Sequence, residues 1–327
     1  MKNLLIAAVA GALTLTSCQK TTFTNTDEGT ANEMPTERRC ASYEVLQENL
    51  KADPSLRQRM DDIENFTARF ANSPDMQKLV GDVMEIPVVV NVLYRTSAEN
   101  ISQAQIQSQI DVLNEDYGGT NADVSSVPSI FTGVKAGDTK IRFVLNSVVR
   151  KSTTKKSWGT NDAMKKSSRG GIDPTTPTTK LNIWVCTIGG GILGYAQFPG
   201  GSSATDGVVI LNQAMGSRAK YSAGYYTSTY DKGRTATHEV GHWLNLRHIW
   251  GDATCGNDQV GDTPLHNTAN YGCPAAGHKS TCTGTPVEMT MNYMDYTDDA
   301  CMYMFSAGQK TRMQATYVVG GPRASFR

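Results

Sequence analysis

The chain has no excess charge: 31 Lys and Arg stand against 31 Asp and Glu in 327 residues. Nucleic-acid binders and polybasic membrane-surface proteins need surplus basic side chains to attract phosphate, so neither class fits. Long apolar runs are scarce too. The run from Leu4 to Leu13 is about half the roughly twenty residues a hydrocarbon core requires, so it reads as the h-region of an export signal; no segment reads as a membrane span. Histidine is rare, with five in the chain, and none of the seven cysteines forms a C-x-x-C pair, which argues against a zinc ribbon. What is present, 39% hydrophobic and 19% charged residues, suffices for one or two folded domains.

Met1-Lys2-Asn3 precedes the apolar run and Leu15-Thr16-Ser17-Cys18 closes it. This closing segment resembles the bacterial lipobox, which implies a signal peptide over 1–17, a lipid on Cys18 and a protein held at the outer membrane or cell surface through that lipid alone. An ordinary secretory signal with an incidental cysteine is the alternative. Export permits disulfides, and Cys255, Cys273, Cys282 and Cys301 read as two bridges in the last quarter of the chain. Four cysteines admit three pairings, and spacing does not choose among them.

Residues 19–35, rich in Thr, Asn and Glu, suit a flexible tether. Val45, Leu46, Leu50, Leu56, Met60, Ile63, Phe66 and Phe70 then recur at mostly helical spacing, broken at Asp53-Pro54. The β-branched run Glu85–Tyr94 predicts a buried strand. Ser102 as N-cap and Gly118-Gly119 as stop frame one good helix. Ile141–Val149, Leu181–Thr187, Gly194–Phe198 and Gly207–Leu211 read as further strands, and 151–180 as a long loop with solvated charges.

Three of the five histidines fall in His238-Glu239-Val240-Gly241-His242-Trp243-Leu244-Asn245-Leu246-Arg247-His248. On a helix, His238 and His242 lie one turn apart on one face, as two ligands of a Zn²⁺ require, with Glu239 beside them as candidate general base for a zinc-activated water. His248 reaches the same point only if the helix stops and turns. Asn245 tolerates the left-handed conformation such a turn needs.

These residues resemble the metzincin metallopeptidases and, within them, the pappalysin-like (cytophagalysin-type) group. Met291-Asn292-Tyr293-Met294-Asp295-Tyr296 is similar to that family's Met-turn, with Met294 as the apolar floor beneath the histidines and Tyr296 as the phenol that stabilises the oxyanion. The resemblance implies an α+β, metzincin-like zincin fold: a twisted mixed sheet, a zinc-binding active-site helix and a small disulfide-tied C-terminal subdomain. It implies the pairings Cys255–Cys282 and Cys273–Cys301. It also likens Gly251-Asp252 and Asn257–Pro264 to a calcium-bearing loop, with Asp258 and Asp262 as candidate Ca²⁺ ligands, though such residues also simply make turns. His266 and His278 are expected to be solvent-exposed bystanders.

In some relatives a pro-region cysteine following an Arg takes the fourth zinc position, which casts Cys40, after Arg38-Arg39, as a zymogen switch. A Cys40–Cys186 disulfide is the other reading. The implied layout is a tether and pro-region over 18–81 and a catalytic domain over 82–327, whose N-terminal subdomain ends near residue 248 and whose C-terminal subdomain is 249–327. The substrate is a protein or peptide, and a monomer is expected. Relatives that prefer a basic P1′ residue carry an Asp where this chain has Ala300, so strict basic selectivity is not expected here. Two rivals have their own signatures: a gluzincin would need Glu288 as the third ligand, and an inert lipid-anchored binding protein would have kept the scaffold alone.

Overall fold

β-branched, apolar β1 (Met84–Tyr94) is the spine of the molecule, and the computed structural model, which describes residues 35–326, builds everything else around it. Cys18, the signal segment and most of the tether lie outside the described residues. Ile86, Val88, Val89, Val90 and Val92 are all fully buried, as expected of a strand covered on both faces. β2 (Ile141–Ser152), β3 (Leu181–Cys186), β4 (Gly194–Ala196) and β5 (Val208–Leu211) complete a five-stranded sheet in the order β2-β1-β3-β5-β4. Four strands are parallel. Only β4 runs antiparallel, against β5, and its other side is the sheet edge that flanks the functional site.

The helices are α1 (Ser42–Ala52), α2 (Ser55–Ala71), α3 (Pro74–Gln77), α4 (Gln103–Gly118), α5 (Arg234–Trp243) and α6 (Ala307–Tyr317). Local chemistry sets their ends. Ser102 caps α4 by accepting from Gln105 N, and Gly119 closes it at φ 63°, where an added Cβ would lie 2.8 Å from the Gly137 backbone. The Asp53-Pro54 break separates α1 from α2, because Pro disfavours helix at the residue before it. α1 lies on β4, which α5 also contacts, and α2 lies on α6.

Two expectations are corrected. β2 continues past Val149 to Ser152, because its partner β1 continues to Tyr94 and the register pairs them to the end. The loop that follows is not uniformly solvated: Lys165 is 1% exposed, its Nζ lying 2.9 Å from Asp162 Oδ1 and 2.8 Å from Thr205 O. The charge is tolerated inside because a carboxylate and a carbonyl meet it and the Trp184 and Tyr195 rings lie beside it.

After α5 the chain has little regular structure before α6 and relies on two bridges, Cys255–Cys282 and Cys273–Cys301, while Cys40 and Cys186 are free, buried thiols. The Cys40–Cys186 disulfide is therefore not formed. Each bridge closes a loop of 27 or 28 residues. Replacing both cysteines of one bridge by Ser is expected to lower unfolding stability by about 3 kcal/mol through loop entropy returned to the unfolded chain. Denaturant titration measures this, and a loss below about 1 kcal/mol would contradict the role assigned to the bridges.

Candidate active site and metal centre

All ten residues of α5 are buried, among them His238 and His242, which the motif spacing puts on one face, and Gly233 at φ 80° sets the entry of this helix. Its exit is a Schellman turn. Asn245 N donates to His242 O at 2.9 Å and Leu246 N to Gly241 O at 2.9 Å, with Asn245 in the left-handed region at φ 72°. That one residue reverses the chain and brings His248 back over the helix, as the spacing required.

The three imidazoles then meet. His242 Nε2 is 3.1 Å from both His238 Nε2 and His248 Nε2, and all three rings are essentially inaccessible to solvent. Each Nδ1 faces an oxygen that can only accept: Tyr293 O at 2.7 Å for His238, Leu246 O at 2.8 Å for His242, and Asp252 Oδ1 at 2.5 Å for His248. The protons therefore sit on the Nδ1 atoms and three Nε2 lone pairs point at one another. Burial holds His238 and His242 well below the ordinary histidine pKa, which keeps them neutral. Three converging lone pairs with no donor between them repel unless a cation takes the shared point, and their spacing suits the ligands of a tetrahedral Zn²⁺. The donor set fits zinc. With Cys40 Sγ, these atoms form a buried His/Cys metal-binding cluster whose ligand atoms all lie within 4.8 Å of one another.

Met294 and Tyr296 frame this centre. Met294 is fully buried and packs against Gly241 of α5, where a Cβ would come within 2.5 Å of its sulfur. Tyr293 O and Met294 O hold His238 Nδ1 and Ile249 N, so the Met-turn backbone ties both arms of the histidine cluster together. The Tyr296 ring is edge-on to His248 at 5.0 Å. Glu239, one residue past His238, is fully buried; desolvation raises its carboxyl to about 7 even though Cys40 and Ser42 hydrogen bonds oppose the shift. Its Oε1 has no hydrogen-bond partner.

The N-terminal segment occupies the cleft between β4 and the Met-turn. Cys40 Sγ donates to Glu239 Oε2 at 3.2 Å, and the Ser42 hydroxyl donates to the same oxygen at 2.9 Å. Tyr296 OH donates to Cys40 O at 3.0 Å. Ala41 N donates to Gly194 O, Leu193 N to Arg39 O and Ala196 N to Ser42 Oγ, so the segment lies along β4 as an added parallel strand. Burial, and then the charge of Glu239, push the Cys40 thiol well above its usual pKa.

Arg38 is the part of this contact that the motif did not foretell. Its guanidinium is 1% exposed and reaches Asp299 Oδ1 at 2.6 Å, Thr235 Oγ1 at 3.2 Å and Thr297 O at 3.0 Å. The expectation against basic selectivity rested on Ala300 leaving a buried cation without a counter-ion. Asp299, one residue earlier and fully buried, is the counter-ion of Arg38.

Other sequence readings move as well. Asp252, grouped with the calcium-like loop, instead accepts from His248. Asp262 ties the start of α6, accepting from Ser306 Oγ at 2.6 Å and Gly308 N at 2.8 Å, and both Asp258 oxygens accept from Thr263 Oγ1. His266 is not an exposed bystander: it is fully buried, its Nε2 accepts from Met289 N, and its Nδ1 lies 3.5 Å from Asp295 Oδ2. Packing under the Met-turn explains the burial. His278 does face solvent, at 44%. Glu288 is engaged with Asn267 N and Asn270 Nδ2 and is absent from the histidine cluster, which removes the gluzincin reading.

A three-histidine centre with an adjacent helix carboxylate, set below an antiparallel sheet edge, defines a metzincin-like metallopeptidase. The family described as pregnancy-associated plasma protein-A matches residues 191–318. An extracellular metalloprotease of Verticillium alfalfae is 31% identical over 276 residues, covering 79% of this chain and 87% of that protein. One from Colletotrichum graminicola is 34% identical over 260 residues, covering 74% and 80%. Among solved structures, Tannerella forsythia promirolysin superposes with a TM-score of 0.79 at 41% identity, over 88% of this chain and 97% of that one. Mature mirolysin from the same organism, in complex with a cleaved peptide, gives 0.71 at 44% identity, over 75% and 96%. The chain belongs to this pappalysin family of peptidases, and it is a metalloendopeptidase.

Proposed function

We propose that the protein is exported and latent, and that it hydrolyses peptide bonds once its N-terminal segment is removed. The observation that carries this reading is the segment itself: Cys40 sits at the open corner of the three-histidine cluster while Ser42 blocks Glu239. Support also comes from the larger share of the chain that matches promirolysin than mature mirolysin, and from relatives named as extracellular. His238, His242 and His248 would hold one Zn²⁺, which when bound polarises the scissile carbonyl and acidifies water. No helix among the described residues is long and apolar enough to cross a membrane. A lipid at Cys18 would be the anchor, and cutting between that lipid and the catalytic part would release the enzyme.

With the segment gone, β4 offers Gly194 O and Ala196 N to an extended substrate, the same groups that now bind residues 41 and 42. Glu239 takes the proton of the attacking water and passes it to the leaving amine. In the latent chain burial already lifts its carboxyl to about 7, a range in which a group both takes and gives a proton. Tyr296, released from Cys40 O, turns its hydroxyl to the carbonyl oxygen as negative charge develops there. The pocket that Arg38 fills, floored by Asp299, would accept a basic P1′ side chain. Of the candidate Ca²⁺ ligands, Asp258 is the stronger, because Thr263 Oγ1 already lies beside its carboxylate and itself touches Val260 O.

Activity on a denatured protein substrate tests the mechanism. Glu239→Ala is expected to lower the rate at least about 10³-fold, within the range for loss of a positioned acid-base group, and a zinc chelator should abolish it. Retention of wild-type activity after either treatment would contradict the mechanism, and equal inertness of wild type and variant would favour a binding protein. Peptides differing only at P1′ test the pocket. The mature enzyme is expected to cleave before Arg at least about tenfold faster than before Leu, and Asp299→Asn should erase the difference; equal rates in the wild type would contradict the assignment.

A further inference from the structure

We propose that Asp252 is a positioning residue that raises the zinc affinity of the site through His248; this rests on the zinc reading above. Two of the three imidazoles are steered by neutral backbone carbonyls, Tyr293 O and Leu246 O, and only His248 is steered by a carboxylate. The chain after His248 is shaped to bring that carboxylate back. Gly251 takes φ 63° with the Asn257 backbone so close that a Cβ would lie 2.4 Å from its nitrogen, and Asp252 itself takes φ 57°. An acidic residue in the left-handed region is conformationally costly, and here the cost coincides with one contact: His248 Nδ1 donates to Asp252 Oδ1 at 2.5 Å.

The ring is fixed from its face as well as its edge. Trp250 stacks on His248 with centroids 4.4 Å apart and planes 7° from parallel, so the ring has no freedom to swing away from the cluster. A carboxylate on Nδ1–H makes Nε2 a stronger donor than a carbonyl does and supplies negative charge near a dication otherwise met by three neutral rings. In the latent chain Cys40 adds a fourth ligand. After the segment leaves, Asp252 still contacts a ligand ring while Glu239 is engaged in proton transfer. Asp252 thus carries a larger share of metal retention in the active form than in the latent one.

Asn and Gly both accept the left-handed backbone, so Asp252→Asn and Asp252→Gly remove the charge, or the whole side chain, without straining the turn. Zinc dissociation constants of the intact chain and of the processed enzyme are measured by competition with a chromogenic chelator. The expected loss is roughly 10- to 100-fold for Asp252→Gly and less for Asp252→Asn, with both effects larger after removal of the N-terminal segment. Variants that bind zinc within about twofold of the wild type in the processed form would overturn the proposal. A wild type that takes up no zinc would instead overturn the reading of the site itself. With zinc saturating, a fall in kcat without a matching rise in KM supports positioning of the metal, whereas a rise in KM alone would place Asp252 in substrate binding and overturn the assignment.

Discussion

Three imidazole lone pairs directed at one buried point impose the constraint around which the rest of the molecule is arranged. Neutral nitrogens 3.1 Å apart in a dry interior have no reason to be there without a cation, and each is locked in place by an acceptor on its far side. The Met-turn exists in this geometry to supply Tyr293 O, the Schellman turn to supply Leu246 O, and the tight turn at 249–252 to supply Asp252. The two disulfides hold the irregular chain on which the Met-turn and Asp299 are mounted.

Latency follows from the same geometry. A segment that only filled the cleft would leave the reactive groups intact, but this one contacts each of them. Cys40 approaches the histidines, Ser42 hydrogen-bonds Glu239, the Cys40 carbonyl accepts from Tyr296, and Arg38 pairs with Asp299. These contacts occupy five consecutive residues laid along β4 in the manner of a substrate strand, yet parallel to β4. α1 and α2 pack over β4 and α6, extending the covered surface well beyond the cleft.

Much of this was legible in the residues, and the limits have physical causes. The His238-to-His248 spacing, with an αL-tolerant Asn245, dictated both a helix and its reversal, since no other backbone brings the third ring back. Helix caps such as Ser102 and stops such as Gly118-Gly119 are local signals and were readable as such. Contacts between distant segments were not. Nothing in sequence spacing reveals that Arg38 meets Asp299 across 261 positions, that Lys165 reaches Thr205 O across 40, or that His266 packs under the Met-turn. Asp252 is the instructive case: four residues from His248, it was assigned by resemblance to a different loop, because only the left-handed turn redirects it to the imidazole.

The central claim is that Cys40 and the three histidines share one zinc in the latent protein. Zinc-edge X-ray absorption on the intact chain, carrying Glu239→Ala to prevent self-cleavage, tests it directly. The account predicts one sulfur at about 2.3 Å and three nitrogens at about 2.0 Å, with the sulfur replaced by a light atom in the processed enzyme. A first shell without sulfur in the intact chain would contradict it.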